Sequence, residues 1–324
     1  MKDIPTFSRE IFAEAFKALM QSNTYGLSGV HEINSGKPGP TIGITLHTHG
    51  NEPSGLAIFH YFTQIEPLNQ KLKAGRVLFV LNNIKATAKY LDATDREGRE
   101  NSRFIDVNMN RLPPDLDACG RCGYEIQRSI ELIPVWKQFQ IALDIHSTTQ
   151  PCPPMIIALP HFNRSLVQGI PAQTILSNIT SVQIGKPAIS FYGQSEVERC
   201  MFGIETGSHE SQDSFVCGIT SVEALLVNTG VLERQDVSQK PVPITYLDYW
   251  VDASVIFPDT TYSLTKIFGS FDRINKGEIL ATGDGANIEM PFDGHTLFCR
   301  NKTKPTDLSE EILFLAKPAV EFTL

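Results

Sequence analysis

Five apolar runs that are continuous rather than alternating constrain this chain most: Thr41 to His47, Arg76 to Leu81, Gln140 to His146, Met155 to Leu159 and Met201 to Glu205. A strand with one wet face alternates apolar and polar residues, whereas a strand covered on both faces does not. Between the runs lie Pro53 to Glu66, Tyr124 to Phe139 and Ser214 to Leu232. Their apolar residues recur at three-to-four spacing, as in Ile126, Ile130 and Ile133 or Ile219, Val222 and Leu226, which is the stripe of a helix packed on a core. Strand and helix in alternation predict an α/β fold, a mixed and largely parallel sheet with helices on both faces. In such sheets ligands collect beyond the carboxyl ends of the strands, so the residues that follow each run carry the functional reading.

The first run delivers His47-Thr48-His49-Gly50-Asn51-Glu52-Pro53. A catalytic zinc site takes three nitrogen or carboxylate-oxygen ligands and keeps one position open, and His49 with Glu52 would supply two. Pro53 suits the first turn of a helix and Asn51-Glu52 suit its cap, so these residues read equally as an ordinary strand-to-helix turn. His146, which closes the third run, is the third candidate ligand and shifts the balance to the metal. Asp144 lies two residues earlier and so on the same strand face, where it can take the second ring proton of a ligating histidine. The fifth run delivers Glu205 ahead of Thr206-Gly207, a carboxylate suited to carry a proton from attacking water to a leaving nitrogen. His209, past the glycine turn, reads as a solvated or outer residue rather than a ligand.

The chain has 36 Asp and Glu against 28 Lys and Arg, a formal net charge of −8, so it must concentrate cations locally to hold an anion. The segment from Arg103 to Arg111 does so. Arg103 could polarise a carbonyl or steady an oxyanion, and Arg111 with the amide of Asn110 could grip a carboxylate. The acidic balance, without a basic run or interleaved aromatics, argues against nucleic acid as a partner.

Taken in order, H-G-N-E at His49, R-x-x-D-x-N-M-N-R at Arg103, D-x-H-S-T at Asp144 and G-x-E-T-G at Gly203 resemble the succinylglutamate desuccinylase and aspartoacylase family, a branch of the zinc carboxypeptidase-like fold. The resemblance runs from about Thr41 to the end. It implies one zinc ion (Zn2+) per chain on His49, Glu52 and His146, Glu205 as general acid/base, Arg103 as the carbonyl-polarising arginine, and Asn110 with Arg111 as a carboxylate-binding pair. It implies hydrolysis of the amide of a small N-acyl amino acid. The chain also departs from the aspartoacylase branch, which carries a substrate-gripping arginine shortly before the catalytic glutamate. Here that position is Ser195, with Arg199 the nearest arginine, and Leu297 to Lys302 show no counterpart of the branch's carboxy-terminal tyrosine. Arg199 and Tyr192 are therefore carried forward as candidate substrate contacts, with the acyl group and amino acid left open. A carboxypeptidase that reads a peptide's terminal carboxylate through Asn110 and Arg111 is the alternative. A degenerate metal-binding module is the third reading, disfavoured because Glu205 is present.

Glu233 to Pro241 reads as a polar connector, dividing a catalytic domain (1–240) from a small β-rich domain (241–324). The second part carries short runs, Thr261 to Phe268, Gly277 to Thr282, His295 to Cys299 and Ile312 to Pro318, punctuated by Gly and Asp turns. Its expected role is to wall the site and favour small substrates. Arg9 to Met20, after the cap residue Ser8, reads as an amphipathic helix whose charges rule out a signal peptide. With no run long enough to span a bilayer, the expectation is a cytoplasmic protein with no membrane partner, homo-oligomerisation being left open. The six cysteines are scattered, as expected of reduced thiols, and the lone Cys119-Gly120-Arg121-Cys122 has half the ligands of a structural zinc site, so it reads as loop.

Overall fold

The structure is a computed structural model that describes residues 4–116, 123–149, 151–193, 199–234, 245–300, 308 and 310–323. It has two compact units, Met1–Gln173 with Gly185–Thr245 and Thr323–Leu324, and Thr174–Ile184 with Tyr246–Phe322. The second unit thus takes in Thr174–Ile184, which a single boundary near residue 240 would leave in the first.

In chain order the elements up to residue 228 are α1 (Arg9–Gln21), β1 (Val30–Asn34), β2 (Thr41–Leu46), α2 (Ser54–His60), β3 (Arg76–Leu81), α3 (Ile84–Asp92), α4 (Arg96–Glu100), α5 (Tyr124–Trp136), β4 (Ile141–Thr148), β5 (Met155–Ala158), β6 (Thr174–Ser177), α6 (Ile179–Val182), β7 (Cys200–Ser208) and α7 (Gln212–Asn228). Of these, β6 and α6 belong to the second unit. The first unit orders its strands β1-β3-β2-β4-β7-β5. Neighbours β3, β2, β4 and β7 are parallel, while β1 pairs with β3 and β5 with β7 in antiparallel fashion. All six residues of β2 are buried, the pattern that its unbroken apolar run predicts.

Helices cover both faces. On one, Phe59 of α2 meets Phe79 of β3 with ring centres 5.7 Å apart. On the other, Leu78, Val80, Ala142 and Met201 share a core with Ile126, Leu132, Val135 and Trp136 of α5 and with Phe139. Each such large side chain contributes about 1.5–3 kcal/mol by leaving water. Gly43 is required in β2, because a β-carbon there would lie 2.5 Å from the Phe139 ring.

Two local features depart from the pattern of unbroken runs and striped helices. The edge strand β1 buries only Val30 and Ile33 of its five residues, so no continuous apolar run marks it. The helix expected from Pro53 starts at Ser54 with no side-chain cap and passes into a π-helical turn over Tyr61–Ile65. The Asn51-Glu52 pair does not cap it because the Glu52 carboxylate is engaged by two imidazoles. At the amino terminus, Ser8 does cap α1, its Oγ accepting from the Ile11 amide at 3.5 Å.

The second unit adds β8 (Thr245–Val255), β9 (Ser263–Leu264), β10 (Arg273–Ile274), β11 (Ile279–Thr282), β12 (Ile288–Glu289), β13 (Gly294–Leu297), β14 (Leu313–Ala316) and β15 (Val320–Thr323). Strands β8, β14, β13 and β10 pair antiparallel in that order, with β15 and the parallel β6 also beside β8. A separate antiparallel trio, β12-β11-β9, closes over a core that includes Phe257, Phe268, Leu280 and Leu313. Among the described residues, no helix is long and apolar enough to cross a membrane.

Candidate metal centre

The parallel register brings the strand-end residues together. His146 of β4 is paired with Glu205 of β7, and Asp144 with Thr45 of β2, so three of the runs deliver their polar residues to one end of one sheet. His49 and Glu52 come from the turn after β2. Gly50 is obligatory there, because a β-carbon would sit 2.4 Å from the Ser102 carbonyl oxygen. The Gly50 amide in turn donates to the Arg103 carbonyl at 2.9 Å, which ties this turn to the arginine segment.

His49, Glu52 and His146 are all buried, and each offers a ligand atom within 4.8 Å of the others. Glu52 stands in the middle: His49 Nδ1 lies 2.7 Å from its Oε1 and His146 Nδ1 lies 2.8 Å from its Oε2. The remaining ring nitrogens are held from behind. His146 Nε2–H donates to Asp144 Oδ2 at 3.0 Å, and Asp144 also accepts from the hydroxyls of Thr45 and Thr48 at 2.7 and 2.9 Å. His49 Nε2–H donates to Asn108 Oδ1 at 2.9 Å, an oxygen that also accepts from the Asn110 amide at 2.8 Å. That main-chain donor fixes the orientation of the Asn108 amide, and with it the tautomer of His49.

These contacts bear on whether a cation fits. With both Nε2 atoms protonated, both Nδ1 lone pairs point at a carboxylate, an arrangement that repels unless protons or a metal ion intervene. Two imidazoles and one carboxylate, oriented by outer partners, form a set that could hold one metal ion. The electrostatics of the three groups without an ion show the same strain. Burial opposes ionisation of Glu52, yet the two imidazoles hold its carboxyl well below the usual range. Burial also disfavours a charged His146, but Asp144 and Glu52 raise its pKa well above the ordinary value. His49 goes the other way: burial and then the Arg103 charge lower it to about 4. The histidines differ because a carboxylate stands behind one and a neutral amide behind the other.

Glu205 flanks the cluster, with an Oε2 atom shielded from solvent that finds no hydrogen-bond partner. Burial pushes its carboxyl up to about 8, with the neighbouring charges pulling in both directions. Arg103 is half-buried and reaches Glu52 Oε1 through its Nη1 at 3.2 Å. Asn110 and Arg111 follow on the same segment, Arg111 Nη1 donating to the Asn110 carbonyl at 2.8 Å. His209 lies beside Ser147, its Nδ1 2.7 Å from the hydroxyl, while Thr149 Oγ1 is 3.2 Å from Nε2.

Two residues carried forward as substrate contacts are placed elsewhere. Tyr192 has no exposed surface; its ring packs between Trp136 and Phe139 at 4.9 and 5.5 Å, and its hydroxyl accepts from Asn82 Nδ2 at 3.0 Å. Its sequence context, apolar and bounded by glycine, suits a core residue equally well. Arg199 Nη1 donates to the Tyr192 and Ser190 carbonyls at 2.7 and 3.4 Å, bracing main chain. Asn108 carries no functional signal of its own in the sequence. It stands inside the arginine motif, two residues before Asn110, yet an Asn in a loop does not announce that its oxygen will face a histidine. Ser195, Cys119 and Cys122 lie outside the described residues.

Fold and site thus define an α/β protein with a buried strand-end cluster that could bind a metal ion. A profile of the succinylglutamate desuccinylase/aspartoacylase catalytic domain matches residues 38–214, more than half of the chain. The chain belongs to this family of hydrolytic deacylases. Solved structures agree on the fold. The succinylglutamate desuccinylase of Chromobacterium violaceum is similar with a TM-score of 0.65 at 16% identity, over 97% of this chain and 99% of that one. That of Vibrio parahaemolyticus gives 0.64 at 15% identity over 98% and 96%. A succinylglutamate desuccinylase/aspartoacylase from Rhodobacter sphaeroides gives 0.59 at 17% over 89% and 88%. No curated protein sequence matches the chain.

Proposed function

We propose that the chain is a zinc-dependent deacylase that hydrolyses the amide bond of a small N-acyl amino acid. The observation that carries this reading is the convergence of His49, Glu52 and His146, each histidine oriented from behind, next to the Glu205 carboxylate, whose Oε2 is shielded from solvent without a hydrogen-bond partner. Zinc held by those three residues would polarise a carbonyl and make water acidic enough to attack at neutral pH.

The chain's own groups do the rest. Glu205 takes the proton from attacking water and returns it to the leaving nitrogen, and a carboxyl lifted towards neutrality by burial is matched to both transfers. Arg103, leaning on Glu52, presents its guanidinium where negative charge develops on the carbonyl oxygen. Asn110 and Arg111 hold a substrate carboxylate, the bidentate fork of Arg111 giving orientation as well as attraction. Asp144 keeps His146 in the ligating tautomer. Cys200 and Cys217 are buried free thiols, which suits a reducing compartment such as the cytoplasm.

The test is metal analysis of the purified protein combined with release of free amino acid from N-succinyl, N-acetyl and short peptide substrates. About one zinc per chain with turnover of acyl amino acids is the expected result. Cleavage of peptides alone would make the chain a carboxypeptidase, and neither metal nor turnover would reduce the cluster to an inactive module.

A further inference from the structure

Glu125 is a carboxylate with no exposed surface, at the second residue of α5. Four N–H donors surround it. Asn83 Nδ2 and the Ile105 amide reach Oε1 at 3.0 and 2.6 Å, and the Asp106 and Val107 amides both reach Oε2 at 3.0 Å. No lysine or arginine pairs with it among the described residues. A buried charge without a counter-ion is tolerated only when its oxygens are fully hydrogen-bonded, and here three consecutive main-chain amides supply most of that solvation.

The converse is equally informative. Residues 105 to 107 belong to no helix or strand, and the side chains of Ile105 and Asp106 are exposed. Their amides would otherwise have no structural partner, so the carboxylate is what gives this segment one conformation. The link is reciprocal, because Asp106 Oδ2 accepts from the Tyr124 amide at 2.7 Å at the start of the same helix. Arg103 lies two residues before the clamped amides. Asn108, which orients His49, lies one residue after them, and Asn110 and Arg111 follow.

We infer that Glu125 is a positioning residue for the reaction: by clamping the amides of residues 105–107 it sets where Arg103 stands and holds Asn108 against His49. It touches neither substrate nor metal. The inference rests on the deacylase reading above, but two of its readouts need no substrate.

Glu125→Gln replaces one acceptor oxygen with an amide that cannot accept from the main-chain donors. Amide hydrogen exchange over residues 103–111 should accelerate by at least about tenfold while the β2 and β4 amides keep their protection. Zinc affinity, measured by chelator competition, should weaken by about 10- to 100-fold, the scale seen when an outer partner of a ligating histidine is lost. With N-acyl amino acids kcat should fall more than KM rises, since misplacing Arg103 removes stabilisation made in the transition state. Wild-type exchange in 103–111, or zinc affinity within twofold of the parent, in a folded Glu125→Gln protein would overturn the inference. Should that variant fail to fold, Asn83→Ser removes one of the four donors while keeping a residue able to cap α3, and a smaller change in the same direction is expected. No change in a folded Asn83→Ser protein overturns the inference equally. If the parent hydrolyses no acyl amino acid, the deacylase reading fails, while exchange and zinc affinity still decide the role of Glu125.

Discussion

The two halves of the candidate metal centre are built on different principles. His146 and Glu205 stand in register on neighbouring parallel strands, so their separation is a property of the ladder. Arg103, Asn108, Asn110 and Arg111 stand on an irregular segment held by a few single contacts, three of its amides by one buried carboxylate. The strand-borne half is rigid because many equivalent bonds share the load. The loop-borne half is rigid only as long as a few specific polar contacts are complete. Substitutions in the first should therefore act on the chemistry where they are made, and substitutions in the second should act at a distance.

The largest effect belongs to the strand half. His146→Ala should empty the centre, with metal content by elemental analysis falling from about one ion per chain to near none and activity lost with it. Retained metal would place the third ligand elsewhere. Glu205→Gln should instead keep the metal while slowing turnover by about 100- to 10,000-fold, the range for a lost general acid/base. Parent-like turnover in the loaded variant would remove Glu205 from the proton path.

Exchanging the outer partners sharpens the contrast between the halves. Asp144→Asn would leave both histidines on neutral acceptors and should raise the metal dissociation constant by about 10- to 100-fold. Asn108→Asp would put a carboxylate behind both and should tighten binding by a smaller factor. Affinities unchanged in both variants would show that the asymmetry of carboxylate and amide has no influence on the metal.

The smallest effect is one of stability in metal-free protein. Glu205 binds its proton more tightly in the fold, at about 8, than its ordinary value of 4.5. Its contribution is therefore fully present below about pH 4.5 and is lost as pH rises through about 8. Glu205→Gln has no such loss, so the stability difference between variant and parent should grow in the variant's favour from about pH 5 to about pH 9 in urea titrations. A difference that does not vary with pH would contradict the raised proton affinity of Glu205.

Much of the strand-borne half was legible. Unbroken apolar runs mark strands buried on both faces, and a ligand-type residue at the end of such a run has few other places to be. Asp144 was readable for the same reason, since two residues along a strand is one face. The loop-borne half was legible only as a collection of charges. Arg103 and Arg111 stood out by type, but Asn108 did not, because nothing local tells which amide atom faces a histidine 59 residues away. Tyr192 and Arg199 were misplaced for a related reason. An aromatic ring before a glycine suits a pocket or a core equally, and for Tyr192 the choice was made by Trp136 and Phe139, more than fifty residues earlier in the chain, while Arg199 turns to the Ser190 and Tyr192 carbonyls.

What the sequence by itself determined is that the five unbroken runs are strands and the striped stretches between them helices, and which side chains have the chemistry of a metal ligand, a base or an anion clamp. Those depend on hydrophobic period and residue type, both local. Only the tertiary structure decided who stands behind whom: that Glu52 joins His49 and His146 across 94 residues, that Asp144 backs one histidine and Asn108 the other, and that Glu125 holds the arginine segment. Hydrogen bonds of this kind depend on strand register and on the packing of α5 against the sheet, to within a fraction of an ångström. No local pattern in the chain encodes distances on that scale.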